Sequence, residues 1–245
     1  MKRTIVEQRT GGITDLMQEV HTIADPEIAR HSLRFFKTAQ GEYGEGDIFL
    51  GIRTPVLRGL SRKYKCLRLT EIHQLLQSPF HEIRLLALFL LVFRYQEGSR
   101  IVKEEVVNLY LAHTAYVNNW DLVDASAANI LGEYFEERDR SIFYQLASSQ
   151  SLWERRIAMI ATHRFIKNGS YEDTLRIIVI LMNDKEDLIQ KACGWMLREV
   201  GKNNLEIALS FLDRYAGIMP RTMLRYSLER LPLEKKNYYM ASRHR

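Results

Sequence analysis

Cysteine is nearly missing from this 245-residue chain: there are two, Cys66 and Cys193, far apart in sequence. Two distant thiols in apolar stretches build neither a disulfide framework nor a thiolate metal cluster, so both are expected to be reduced packing residues. Proline (5) and glycine (13) are scarce as well, so long stretches lack the residues that stop helices. Nowhere is there an uncharged run of about 18 residues, the length that crosses a bilayer as a helix. The opening MKRTIVEQRTGGITDLM has no apolar stretch of the kind a secretory signal needs, and a cytoplasmic protein is the expectation. An Asn168-Gly-Ser acceptor triplet is then read as chance. Metal and cofactor signatures are missing too. The seven histidines (His21, His31, His73, His81, His113, His163, His244) show no HExxH or paired-ligand spacing, and no Gly-x-Ser-x-Gly elbow occurs. Gly41, Gly44 and Gly46 form a glycine-rich loop without the Gly-Lys-Ser/Thr of a phosphate loop. No metal and no cofactor are expected.

What is present is apolar and charged in ordinary globular proportion, 46% and 27%. The length suits one elongated domain, taken as residues 1–245. Lysine and arginine number 35 against 30 acids, a formal charge of +5 and a pI near 9.1, which is compatible with a polyanionic partner. Apolar residues recur at spacings of three and four through most of the chain, the helical period. RLLALFLLVFRY (84–95), DASAANILGEYF (124–135), RRIAMIATHRFIK (155–167), IQKACGWMLREVGK (189–202) and RTMLRYSLERL (221–231) read as largely buried helices. Amphipathic segments lie between them: IVKEEVVNLYLAHT, SIFYQLAS and TLRIIVILMND. With Arg84, Trp120, Arg156 and Lys191 as markers, the buried helices recur in steps of 36, 36 and 35 residues by subtraction. That period predicts an all-α, HEAT-like repeat solenoid of stacked antiparallel helix pairs, an α-α superhelix with a concave wall. Residues about one period apart then become neighbours. Residues 1–65 are less regular; Thr54 is expected as a helix N-cap with Pro55 at the first helical position. The basic C-terminal LEKKNYYMASRHR is expected to fray.

Within this pattern NNWDLVDAS (118–126) stands out. Trp120 and Asp124, four apart, share one helix face. Asp121 is expected to point elsewhere and to serve the helix N-terminus. Asp124 heads an apolar run, where an acid is either solvated on the concave wall or paired with a cation. Arg156, one repeat on, supplies a cation, and Trp195 follows a further repeat plus a turn later. Stacking would gather Trp120, Asp124, Arg156 and Trp195 toward one cleft. The same residues also suit plain packing: indoles as core, an Arg–Asp pair as a staple between repeats, and Trp153 pinning a helix start.

WDLVD (120–124), LWERR (152–156), QKACGWMLRE (190–199) and FLGIRTP (49–55) occur together and in order. In these the chain resembles the AlkD-like DNA alkylation repair family, HEAT-like-repeat glycosylases that excise alkylated purines. The resemblance covers nearly the whole chain. It implies a basic concave face for double-stranded DNA containing alkylated purines, Trp120 and Trp195 as indoles flanking the damaged nucleotide, Asp124 as catalytic carboxylate and Arg156 beside the cleft on the DNA backbone. It also implies a lesion that stays in the duplex. Arg53, Thr54, Arg84, Arg155, Lys191, Arg198 and Arg225 are the candidate phosphate contacts. Two departures from the family stand out: Phe35 occupies the place of an aromatic hydroxyl, and KTAQGEYGEGD is an elaborated loop. The reading is a monomeric alkylpurine DNA glycosylase without metal, cofactor or membrane contact. Two rivals remain: a non-catalytic HEAT-like solenoid binding DNA or protein, and a relative that grips damaged DNA without cutting it.

Overall fold

The computed structural model describes residues 11–241. The first ten residues, His244 and the end of the basic C-terminal stretch lie outside the described residues. The chain divides into two compact units, residues 1–125 and 126–245.

The first unit contains α1 (Ile13–Thr22), α2 (Pro26–Phe35), α3 (Thr54–Lys63), α4 (Leu69–Leu76), α5 (His81–Glu97), α6 (Arg100–Ala112), a short 3-10 turn (Thr114–Tyr116) and the start of α7 (Trp120–Ala127). Its centre is α5, HEIRLLALFLLVFRYQE, which is apolar around its circumference and therefore has to be covered on all sides. Helices α3, α4 and α6 pack against it, and Ile83, Leu86, Leu88, Leu90 and Leu91 are fully buried. Asp25 caps α2, its Oδ1 accepting from the backbone N–H of Glu27 (2.8 Å) and Ile28 (3.2 Å), and Pro26 opens the helix. Helix α3 begins one residue earlier than expected. Arg53 is the extended residue before it and makes no capping bond, while Thr54 is already helical.

Between α2 and α3 the chain must pass the start of α2 closely. It does so at Gly51, which has φ +81° and whose missing Cβ would lie 1.9 Å from the Asp25 carbonyl oxygen. One isolated bridge, Ile48 to Phe80, is the only extended pairing among the described residues.

The second unit continues from a π turn (Ala128–Gly132) through α8 (Ser141–Ala147), α9 (Leu152–Ala161), α10 (His163–Lys167), α11 (Glu172–Ile180), α12 (Asp187–Asn203), α13 (Leu205–Tyr215), α14 (Arg221–Leu228) and α15 (Leu233–Ala241). Its central helix is α12, packed by α9, α10, α11, α13 and α14. Gly194 lets α12 and α14 approach: a Cβ there would lie 2.4 Å from the Met223 carbonyl. The helix expected over 155–167 is broken at Thr162, whose buried hydroxyl donates to the Met159 carbonyl (2.7 Å) and competes with the helical ladder. The terminal segment expected to fray forms α15 as far as Ala241.

The repeat is visible in the hydrogen bonds. The fourth residue of α5, Arg84, donates from Nη1 to the carbonyl of Ser78, six residues back (3.0 Å). The fourth residues of α9 and α12 do likewise, Arg155 to Ser149 (3.0 Å) and Gln190 to Asp184 (3.0 Å). The equivalent positions are therefore Arg84, Arg155 and Gln190, one residue earlier in the second unit than the markers chosen from sequence. The architecture is all-α, made of HEAT-like helix pairs. No described helix is long and apolar enough to cross a membrane. Cys193 is buried, and burial pushes its thiol far up, as expected of a packing residue. Cys66 is exposed and is not one, because it follows the end of α3 rather than sitting under a helix.

Gly51→Ala should lower stability by about 2 kcal/mol or more, since it adds both left-handed strain and a clash with backbone. Gly59→Ala, inside α3 with open space around it, should raise stability by about 0.5–1 kcal/mol. Urea midpoints of the two variants would show the opposite signs.

Candidate active site

Trp120, Asp121, Asp124 and Ala125 form one stripe of α7, while Leu122, Val123, Ser126 and Ala127 are buried. The stripe lines a cavity of about 590 Å³ in the first unit, shared with residues of α2, α3, α5 and the segment joining α2 to α3. Trp120 and Asp124 do stand one turn apart on a common face. Asp121 does not point elsewhere; it lines the same cavity, because the first turn of α7 presents two successive residues there.

Trp120 lies against an aromatic wall. Its ring stacks with Phe36 (centroids 5.5 Å, planes 24° apart) and meets Phe35 edge-on (5.9 Å). Phe35, where an aromatic hydroxyl would stand in the family, keeps 57% of its surface exposed. Arg53 and Thr54 lie exposed on another side, where α3 begins, and Arg58 lies over the Phe89 ring at 4.3 Å.

Behind the stripe is a buried set of charges that the sequence reading passed over. His81 donates from Nδ1 to Asp47 (3.0 Å) and from Nε2 to Asp121 (2.9 Å). Asp47 also accepts from Arg84 Nη2 (2.6 Å), Asn119 Nδ2 (3.1 Å) and Asn118 Nδ2 (3.3 Å). The imidazole packs against both Phe49 (4.6 Å) and Phe36 (4.7 Å), which stack on each other at 5.1 Å. Burial alone would strip the proton from His81, but hydrogen bonds from the ring to Asp121 and Asp47 outweigh it and raise the pKa to about 9. For Asp47 burial works against ionisation, yet the His81 bond and the Arg84 charge hold its carboxyl below the usual range. Glu82, buried beside them, accepts from the backbone N–H of Leu50 (2.9 Å), Gly51 (2.8 Å) and Ile52 (3.3 Å) and so fixes the segment leading to Arg53 and Thr54. One signal was available: His, Glu and Arg crowd the head of an otherwise apolar helix.

The other expected residues divide by burial. Arg84 is a correction: it is 4% exposed and committed to Asp47, Ser78 and Pro79, so it holds the first unit together, and its one unbonded nitrogen, Nε, is buried away from any phosphate. Arg155 is likewise committed, to Asp184 (2.6 Å) and the Ser149 and Gln150 carbonyls. Arg156 is buried and donates to the Leu188 carbonyl (2.7 Å). Trp195 is half-buried, its Nε1 donating to Glu199 (3.0 Å) and its ring 6.0 Å from His163. Lys191 pairs with Asp187 (2.6 Å) and Arg198 with Glu229. Arg225 is exposed in the last turn of α14. Among the described residues, no three His, Cys, Asp or Glu side chains are grouped to hold a metal ion.

The buried charges make stability depend on pH with a definite sign. His81 binds its proton more tightly when folded, so its contribution is complete below pH 6.5 and is lost as pH rises through about 9. Asp47 runs the opposite way, its contribution being lost as pH falls below the ordinary carboxyl range. Between pH 6 and 9.5 the wild type should lose on the order of 3 kcal/mol that His81→Phe does not lose. Urea midpoints followed across that range would test this; parallel curves for the two proteins would remove the charged histidine.

Residues 16–231 match the profile of a family described as DNA alkylation repair enzyme. Among solved structures, one from Enterococcus faecalis described as a predicted DNA alkylation repair enzyme has a TM-score of 0.65 at 23% identity, covering 86% of this chain and 97% of its own. AlkD2 from Streptococcus mutans has a TM-score of 0.52 at 15% identity, covering 89% and 96%. At these identities the likeness is one of fold. Among curated proteins nothing matches. The family match takes in the aromatic and acidic face of α7 together with every helix from α2 to α14, and the chain belongs to the DNA alkylation repair enzyme family.

Proposed function

We propose that this protein is a DNA glycosylase that hydrolyses the N-glycosidic bond of positively charged N3- or N7-alkylated purines in duplex DNA. The observation that carries the reading is the pairing of Asp124 with Trp120 on the cavity face of α7, within a member of a DNA alkylation repair family.

An alkyl group on N3 or N7 gives the base a positive charge and makes it a good leaving group, so the reaction needs little acid catalysis. Charge instead builds on the deoxyribose as its bond to the base lengthens. A carboxylate nearby stabilises that charge and holds the attacking water. Asp124 takes this role: the base departs with the electron pair of the C1′–N bond, water oxygen bonds to C1′, and the water proton passes through the carboxylate to solvent. Indole faces attract a cationic nucleotide by about 0.5–2 kcal/mol per contact. Trp120 supplies one indole and Trp195 the other, each held in place by its neighbours, Phe36 and Glu199. The lesion is read as staying in the duplex. Arg156, buried like Arg84 and anchored on Leu188, is taken to support the site from beneath rather than to contact the DNA backbone. Phosphate contacts are assigned to Arg53, Thr54, Lys191, Arg198 and Arg225 on a basic face; Arg84 and Arg155 are withdrawn from that set. The protein works as a monomer, without metal or cofactor.

Chromatography of bases freed from methylated duplex DNA is the test. Wild type should release alkylpurines well above the spontaneous rate. Asp124→Asn should lose about 10²-fold or more in rate while its affinity for the duplex stays within about threefold. Tight binding without release by wild type would instead identify a DNA-gripping relative. Arg53→Ala should weaken binding and reduce the slope of log K against log salt by about 1.

A further inference from the structure

Asp121 and Asp124 both line the cavity, and Asp121 is bonded to a group behind it. That group, His81, is 1% exposed and faces a carboxylate at each ring nitrogen, Asp47 at 3.0 Å and Asp121 at 2.9 Å. Two acceptors on one imidazole require both nitrogens to carry a proton, so the geometry itself calls for an imidazolium. We propose that His81 is a positioning residue for base excision, acting through Asp121 to fix the first turn of α7 and with it the Trp120 indole and the Asp124 carboxylate. This role rests on the glycosylase reading above.

Asn119 ties the same turn to the buried cluster. Asn119 Oδ1 accepts from the Trp120 backbone N–H (2.9 Å), while Asn119 Nδ2 donates to the Asp47 carboxylate that His81 also grips. The residues on either side of Trp120 are thus tied to the same buried centre, one through Asn119 and one through Asp121. The ring also packs against the stacked pair Phe49 and Phe36, and Phe36 in turn stacks on Trp120. A staple for stability alone would end in the core. This one ends on a carboxylate that stands in the cavity wall, one residue from the indole and three from Asp124.

The charged groups around His81 are Asp47 with its partner Arg84, Asp121 on α7, and Glu82 on its own helix, whose carboxylate is turned to the amides of Leu50, Gly51 and Ile52. When His81 loses its proton, one ring nitrogen meets a carboxylate with lone pair against lone pair. The bond to Asp47 or to Asp121 then breaks, and the first turn of α7 loses its anchor.

The experiment is single-turnover release of alkylpurine from methylated duplex DNA between pH 6.5 and 9.5, with duplex affinity measured alongside. Wild type should hold its rate near neutrality and fall along an alkaline limb centred near the histidine titration, about pH 9. His81→Gln keeps a donor but no titratable charge. It should be slower by about tenfold or more at pH 7, bind duplex within about threefold of wild type, and lack the limb. Should that variant fail to fold, Asp121→Ala serves, since it removes the acceptor on α7 while His81 keeps its bond to Asp47; it should show a similar loss of rate with duplex affinity within about threefold of wild type. Wild-type rates in the folded variants, or an alkaline limb that persists in His81→Gln, would overturn the positioning role alone. Absence of any release by wild type would overturn the glycosylase reading, and this role with it.

Discussion

The first unit is organised around one buried carboxylate, Asp47. It receives His81, Arg84, Asn118 and Asn119, which brings the segment after α2, the head of α5 and the approach to α7 to one point. Burying so much charge is unfavourable unless every group is paired, and an apolar cluster of the same volume could be as stable or more so. What charge supplies in place of stability is direction. Each bond has a length and an angle, so the cluster fixes the register of α7 relative to α5 in a way that leucine against leucine does not. Glu82 extends the same logic to the adjacent segment, where three backbone amides that no helix or sheet satisfies converge on one carboxylate.

Most of the helices could be read from sequence because their cause is local. The apolar run of 84–95 predicts α5, and the segments around Trp195 and Met223 predict α12 and α14, since a period of three and four is written in adjacent residues. The repeat length was legible for the same reason. What escaped was long in range or subtle in place. His81 lies 34 residues from Asp47 and 40 from Asp121, so no window of sequence shows that they meet. Asp121 was assigned to the helix terminus, where its Oδ1 does accept from the Leu122 backbone N–H (3.0 Å), but its other oxygen takes a partner from α5 that the local sequence does not show. The break at Thr162 rests on a single hydroxyl choosing a carbonyl three residues back, inside a run that otherwise continues the helical pattern.

The arginines show why a charge count says little about a partner. Arg84 and Arg155 occupy the same place in their helix pairs, the fourth residue of the inner helix, and both spend Nη1 on carbonyls five and six residues back. They close the turn that leads into each helix, where carbonyls outside the helical ladder would otherwise lack donors. In α12 the corresponding residue is Gln190, which does the same with an amide. The structural need is thus for a donor of sufficient reach, not for a positive charge. Arginines that a polyanion can reach are those outside this register, such as Arg53 at the mouth of α3 and Arg225 on α14.

The placement of His81 also bears on how two acids can share one short stretch of helix. Asp121 and Asp124 lie three residues apart, and side chains at that spacing are neighbours, roughly 5–6 Å apart at Cβ. Like charges so close repel, and the repulsion grows as water is displaced from a cavity. An imidazolium bonded to the first acid offsets that repulsion from behind, where it does not occupy the cavity. The second acid then faces the cavity beside aromatic rings rather than beside an uncompensated anion. A cationic nucleotide entering this space would meet a carboxylate already held in place, with no reorganisation required when charge moves from base to sugar. A neutral nucleotide would find the same apolar wall but no charge to match the acid. On the proposed reading, discrimination would depend on the electrostatic sum of the site rather than on the outline of a pocket, a sum to which residues 47, 81, 84 and 121 contribute from behind the cavity wall.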